Sequence, residues 1–197
     1  MIEENYLQDA VRSFQNYKKL AEKSFAQISD EEFFLALDEE SNSIATIVKH
    51  VAGNLRSRWT DFLTSDGEKP DRDRDSEFVA FENETRDSLL EFWETGWRAT
   101  LSTIESLQPA DLGKIIKIRG EDHTIIEAVN RSIAHTAYHV GQIAFLAKHF
   151  RSAEWQTLSI PRNKSAEYNR FLKEGTNDDA EKQLVLKHER FLESERK

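Results

Sequence analysis

The chain has 197 residues, a formal charge of −9, no cysteine, seven glycines and three prolines. Without cysteine there can be no disulfide, thiolate zinc site, iron–sulfur cluster or cysteine nucleophile, so any chemistry rests on oxygen and imidazole groups. The acidic balance speaks against nucleic acid, the scarcity of glycine and proline against a hairpin-rich all-β fold, and the lack of a long apolar run against a membrane span.

Met1-Ile2-Glu3-Glu4 has neither the basic nor the apolar region of a secretion signal, so a cytoplasmic protein is expected. From Asn5 to Ile28, the residues Leu7, Val11, Phe14, Leu20, Phe25 and Ile28 recur at helical spacing and predict a first long helix. Ser29 and Glu32 have the form of a capping box, so a short helix through Phe33, Phe34 and Leu37 should follow. Asn42 or Ser43 caps a second long helix through Ile44, Ile47, Val48, Val51, Leu55, Trp59 and Phe62. Gly67 and Pro70 then break the pattern. Residues Asp61 to Glu94 hold twelve acids against four bases, and the turn-rich part Thr64 to Glu77 reads as a solvated charged loop.

A third helix runs through Leu89, Trp93, Trp97, Leu101, Ile104 and Leu107 and is stopped by Pro109. Lys114 to Ile118, followed by Arg119-Gly120-Glu121, suggests a small hairpin. Thr124 and Glu127 form a second capping box, opening a fourth long helix that continues to about Phe150. Leu158-Ser159-Ile160-Pro161 reads as an extended arm, and the four tryptophans as core or interface aromatics. Four helices of this length span about 30 to 40 Å, the dimensions of a four-helix bundle. The expectation is therefore an all-α four-helix bundle with short extra helices over residues 1–174. Residues 175–197 would form a polar tail in which Leu184, Phe191 and Leu192 make a loosely attached helix.

Chemistry concentrates on the fourth helix. Ser132 to Ala147 contains no Asp, Glu, Lys or Arg, so this helix should be buried on most of its circumference. His135, His139 and Gln142 fall on one stripe of it, and two imidazoles one turn apart can share a divalent ion. For a third ligand, His188 lies in the polar tail, His149 is more than two turns from His139, and His123 precedes the helix cap. His50, midway along the second helix, is where a facing helix can present an imidazole. The plainer reading, in which each histidine is a core residue satisfied by one hydrogen bond, stands beside this one. Thr136 follows His135, so the site lacks the glutamate of an H-E-x-x-H protease. Asn54 and Gln142 are expected to border the pocket, with Arg58 and Arg131 as partners for substrate anions. Asp71, Asp73, Asp75 and Glu82 have EF-hand spacing, but Ser76 replaces the required glycine and Pro70 precludes an entering helix, so calcium is not expected.

Several stretches carry a resemblance to a known family: Ser43 through Asn54, Arg58 through Pro70, Asn130-Arg131 through His135, His139-Val140-Gly141-Gln142, and Leu158-Ser159-Ile160-Pro161-Arg162. Together they resemble the DinB/YfiT-like superfamily of helical-bundle proteins, in an uncharacterised bacterial branch, over nearly the whole chain. The resemblance implies an up-down-down-up four-helix bundle, a homodimer, and zinc or nickel held by His50, His135 and His139. It also implies thiol-dependent chemistry on a small molecule. The leading expectation is a thiol S-transferase that uses a low-molecular-weight thiol as co-substrate, with a thiolate or water activated by the metal as nucleophile. A metal-dependent hydrolase, or a non-catalytic metal-binding or stress-response bundle, are the alternatives. Fold and metal ligands do not fix the substrate.

Overall fold

The computed structural model describes residues 1–174 and 188–194. It is mostly helical, with one two-stranded sheet. The elements of the first part are α1 (Ile2–Phe25), α2 (Asp30–Phe34), α3 (Ile44–Trp59), α4 (Arg86–Ser106), β1 (Ile115–Ile118), β2 (Glu121–Thr124) and α5 (Ile125–Arg151). Helix α1 begins three residues earlier than the apolar period suggests, because Glu3 and Glu4 suit the positive end of the helix dipole. It also ends earlier, at Phe25.

The expected caps form. Ser29 Oγ accepts from the Glu32 amide at 3.2 Å while Glu32 Oε2 accepts from the Ser29 amide at 2.8 Å. The short helix they open stops at Phe34, leaving Leu37 outside it and exposed. Ser43, rather than Asn42, caps α3 through the Thr46 amide. Thr124 and Glu127 close a capping box at the start of α5. The hairpin also forms, with Ile118 paired to Glu121 and Arg119-Gly120 as its two-residue turn. Both turn residues have positive φ, 56° and 78°, the geometry that a twisted two-residue hairpin requires.

Helix α3 packs on α4 and α5, and α1 packs on α5 and α4. Their shared core is aromatic. Phe14 stands edge-on to Trp59 and Trp97, Phe25 edge-on to Trp93, and the three tryptophans are almost fully buried. The Trp59 indole donates to Ser132 Oγ at 3.2 Å, so its polar edge is satisfied while it ties α3 to α5. Gly96 permits the close approach of α4 to α3: a Cβ there would lie 2.7 Å from the Ala52 carbonyl oxygen. Helix α5 departs from expectation on one face, where Tyr138 and Phe145 are 64% and 66% exposed.

The chain divides into two compact units, Met1–Ser152 and Ala153–Lys197. Within the second, Leu158–Pro161 is irregular, α6 spans Ser165–Glu174, and residues 188–194 are helical. Tyr168 packs against Phe191, which is buried together with Leu192. Leu184 and the rest of 175–187, with 195–197, lie outside the described residues. Among the described residues no helix is long and apolar enough to cross a membrane.

Candidate metal centre

His50 comes from the middle of α3, which is buried on most of its surface, and His135 and His139 from successive turns of α5. The three side chains meet. Ring centroids are 5.2 Å apart for His50 and His135, 4.8 Å for His50 and His139, and 4.6 Å for His135 and His139. One ring nitrogen from each lies within 4.8 Å of the others, and His50 Nε2 and His135 Nε2 approach to 3.2 Å. These three residues can hold a metal ion.

Outer partners set the tautomers. Glu77 Oε2 accepts from His50 Nδ1 at 2.8 Å, and Gln142 Oε1 accepts from His139 Nδ1 at 2.8 Å. In a neutral ring this leaves Nε2 with its lone pair on both residues. Burial, reinforced by the neighbouring His139 and His50 and by Arg72 and Arg58, pulls His135 down to about 3. Burial, with the neighbouring His50, likewise lowers His139, against the opposing hydrogen bond that His139 donates to Gln142. Neutral imidazole is the form that binds metal. Ligands about 2.1 Å from one ion in tetrahedral geometry stand about 3.4 Å apart, so the cluster needs only small side-chain rotations to fit a divalent cation.

Glu77 and Arg72 were not legible as part of this site. The loop expected to be solvated instead sends both inward: their side chains are only 7% and 5% exposed. Arg72 binds the Glu77 carboxylate with two nitrogens, Nε to Oε1 at 2.8 Å and Nη2 to Oε2 at 2.9 Å. Burial alone would raise the Glu77 carboxyl, but the hydrogen bonds from His50 and Arg72 and their charge outweigh it and hold the group below its ordinary range. Gly53, one turn beyond His50, makes room for this carboxylate, since a Cβ there would collide with Glu77 Oε1. An isolated glycine inside an apolar helix pattern is a sequence signal from which such a close approach can be read, and it went unread. Phe78 follows Glu77 and lays its ring 4.9 Å from that of His50.

The expected pocket residues are distributed unevenly. Gln142 touches His139, Asn54 is half-buried on α3, and Arg131 is exposed on α5. Arg58 is buried, with Nη2 4.0 Å from Glu68 Oε2 and Nη1 without a hydrogen-bond partner among the described residues. Burial lowers its pKa to about 10, Glu68 opposing and Arg131, Arg72 and Arg119 adding to the effect. A cavity of about 460 Å³ beside α3 is lined by Arg56, Asp71, Arg72 and Glu77 among others, but by none of the three histidines. Among its lining charges, Arg56 pairs with Asp71 and Arg72 with Glu77. Of the EF-hand-spaced acids, Asp71 pairs with Arg56 of α3, and Asp73 accepts from the Asp75 and Ser76 amides.

Fold and site together define a mostly helical protein with a three-histidine cluster at the meeting of α3 and α5. The chain belongs to the family described as "Protein of unknown function (DUF1572)", which matches residues 1–164 and so includes all three histidines. No curated protein matches it.

Proposed function

We propose that the chain is a metal-dependent enzyme of the DinB/YfiT-like type, a four-helix bundle with the up-down-down-up order that the resemblance implies. His50, His135 and His139 would hold zinc or nickel. The observation that carries this reading is the convergence of three imidazoles from two helices, two of them oriented by acceptors on Nδ1. Second-sphere acceptors of this kind accompany metal-bound histidines and fix their orientation.

A divalent cation held there supplies Lewis acidity, which makes a thiol or a water easier to deprotonate. The chain's own part is to keep the imidazoles neutral and correctly turned, with Glu77 and Gln142 as the orienting groups. Among the described residues no carboxylate joins the cluster, so three neutral ligands would leave coordination positions for a substrate. A low-molecular-weight thiol as co-substrate is consistent with a chain that has no cysteine of its own. The reading is thiol S-transfer to a small electrophile by a cytoplasmic homodimer.

The test is a thermal-shift and turnover screen of metal-loaded protein with small thiols, electrophiles and esters. A thiol should raise the melting temperature of the loaded protein and leave His139→Ala unmoved. Turnover of an ester without any thiol response would replace transfer by hydrolysis. No response to any compound would favour a metal-binding bundle without catalysis.

A further inference from the structure

Arg58 is a buried charge that the chain pairs poorly. Its side chain is 8% exposed, and the nearest carboxylate oxygen, Glu68 Oε2, stands 4.0 Å from Nη2, beyond hydrogen-bonding reach. Nη1 has no hydrogen-bond partner among the described residues. Gly67 makes room for the group, since a Cβ there would lie 2.7 Å from Nη1, yet the Gly67 carbonyl accepts from Ser57 Oγ instead. The dipole of α3 does not require a buried cation. Arg56 supplies one to the same last turn from the surface, paired with Asp71. A guanidinium stripped of water and left without a close partner is destabilising, and a bound anion would relieve it.

The surroundings repeat the imbalance. Glu68 is shared, with Arg72 Nη1 3.3 Å and Arg119 Nε 3.4 Å from Oε2, and Arg119 Nη2 3.4 Å from Oε1. All are longer than the roughly 2.8 Å of a good charge-assisted bond. Arg72 already has Glu77 as its two-pronged partner, and Asp66 gives its oxygens to the Glu68, Arg119 and Gly120 amides. The charges of Arg131, Arg72 and Arg119 all act on Arg58. Four guanidiniums thus gather around three carboxylates, in a chain whose formal charge is −9.

This excess lies beside the histidines. Asn54 and Arg58 follow His50 by one and two turns of α3, and Arg131 precedes His135 by one turn of α5. His50 meets His135 and His139 while the Trp59 indole meets Ser132, so the two helices run antiparallel here and their arginines share an end. Arg58 lies about 12 Å beyond His50 along α3 at a rise of 1.5 Å per residue, and its charge acts on His135.

We infer that Arg58 is the centre of an anion subsite for the carboxylate of a small molecule whose other end reaches the histidine cluster. Exposed Arg119 and Arg131 stand at its mouth, and Glu68 is the carboxylate that the ligand displaces. Glu68 can yield because Arg72 and Arg119 still hold it. A carboxylate offers the pair of oxygens that a guanidinium fork binds. The subsite stands on Arg58 and its neighbours alone. That its ligand reacts at the histidines rests on the metal-enzyme reading, which thereby gains a substrate class: a thiol or electrophile that bears a carboxylate.

The test uses the full chain, stripped of metal by a chelator that is then dialysed out, so that no carboxylate can bind an ion. Calorimetric titration compares succinate with its uncharged diamide. Succinate should bind and the diamide should not. Arg58→Met should weaken succinate by about tenfold or more without lowering the urea midpoint. Glu68→Gln, which removes the competing carboxylate, should tighten it, and His139→Ala should leave it unchanged. No succinate binding, equal binding of the diamide, or unaltered binding by Arg58→Met would overturn the subsite. So would a loss of stability in Arg58→Met, which would make the residue structural. Inorganic phosphate binding more tightly than succinate would overturn the carboxylate class. Succinate binding in a chain that takes up no metal would keep the subsite and discard the metal reading. Metal uptake without succinate binding would do the reverse.

Discussion

Glu77 Oε2 accepts a hydrogen bond from His50 Nδ1 at 2.8 Å, and the same carboxylate is gripped by Arg72. An acid from an irregular loop therefore fixes the orientation of an imidazole from the middle of α3. If the histidines bind metal, Glu77 is a positioning residue for it. Glu77→Ala should weaken metal binding by about 10- to 100-fold, and Glu77→Gln, which keeps an acceptor oxygen, by less. Competition with a chromogenic chelator reads the affinity. Equal loss of stability in both variants with unchanged affinity would make the residue purely structural.

What was legible in the sequence follows the helical period. His135, His139 and Gln142 share a stripe because i, i+4 and i+7 spacing puts them there whatever else the chain does, and His50 follows from its place on the helix opposite. Glu77 obeys no period. Its place depends on contacts far apart in sequence, such as the Gly67 amide donating to the Lys117 carbonyl at 2.8 Å and Glu77 accepting from His50. Loop composition correctly marks a break between helices but is blind to which acids turn inward. The charge-free stretch of α5 misled in the opposite sense. Apolar character shows that a face should be buried without showing that this chain buries it, and Tyr138 and Phe145 are exposed.

Two glycines separate the site from the scaffold. In an exposed helix, Gly→Ala typically stabilises by about 1 kcal/mol. At Gly53 the new methyl would meet the buried Glu77 carboxylate and displace it from His50 and Arg72. Gly53→Ala should therefore weaken metal binding as well as lower the urea midpoint. At Gly96 it would meet the Ala52 backbone, which cannot move aside, so α3 and α4 must part. Gly96→Ala should cost about 1–3 kcal/mol with metal affinity of the folded protein little altered. The reverse pattern in the two variants would refute this assignment of roles.

Metal loading should raise thermal stability, by about 2.7 kcal/mol when free metal is 100 times the dissociation constant. Chelation should reverse it. His139→Ala should abolish the increment and lower the metal content found by elemental analysis. His123→Ala and His149→Ala should leave both intact, since neither residue belongs to the cluster. A metal content unaffected by His139→Ala would remove the residue from the ligand set.

Asp66 gives a pH dependence that is independent of the metal. Its Oδ1 accepts from the Glu68 amide at 2.7 Å and the Arg119 amide at 2.8 Å, and its Oδ2 from the Gly120 amide at 2.7 Å. The carboxylate thus fastens the loop that carries Glu77 to the tight turn of the hairpin. Burial raises its pKa, but the three backbone donors together hold it below the ordinary carboxylate range. Because the folded value lies below the unfolded one, the stabilisation is complete above the unfolded value. It is lost as the pH falls through the folded value. Asp66→Asn should therefore cost about 1–3 kcal/mol at neutral pH, and the gap from the unmodified chain should close in strong acid. Urea unfolding at pH values on either side of the carboxylate range measures this directly. A gap that stayed constant with pH would show that the three amides do not depend on the charge of Asp66.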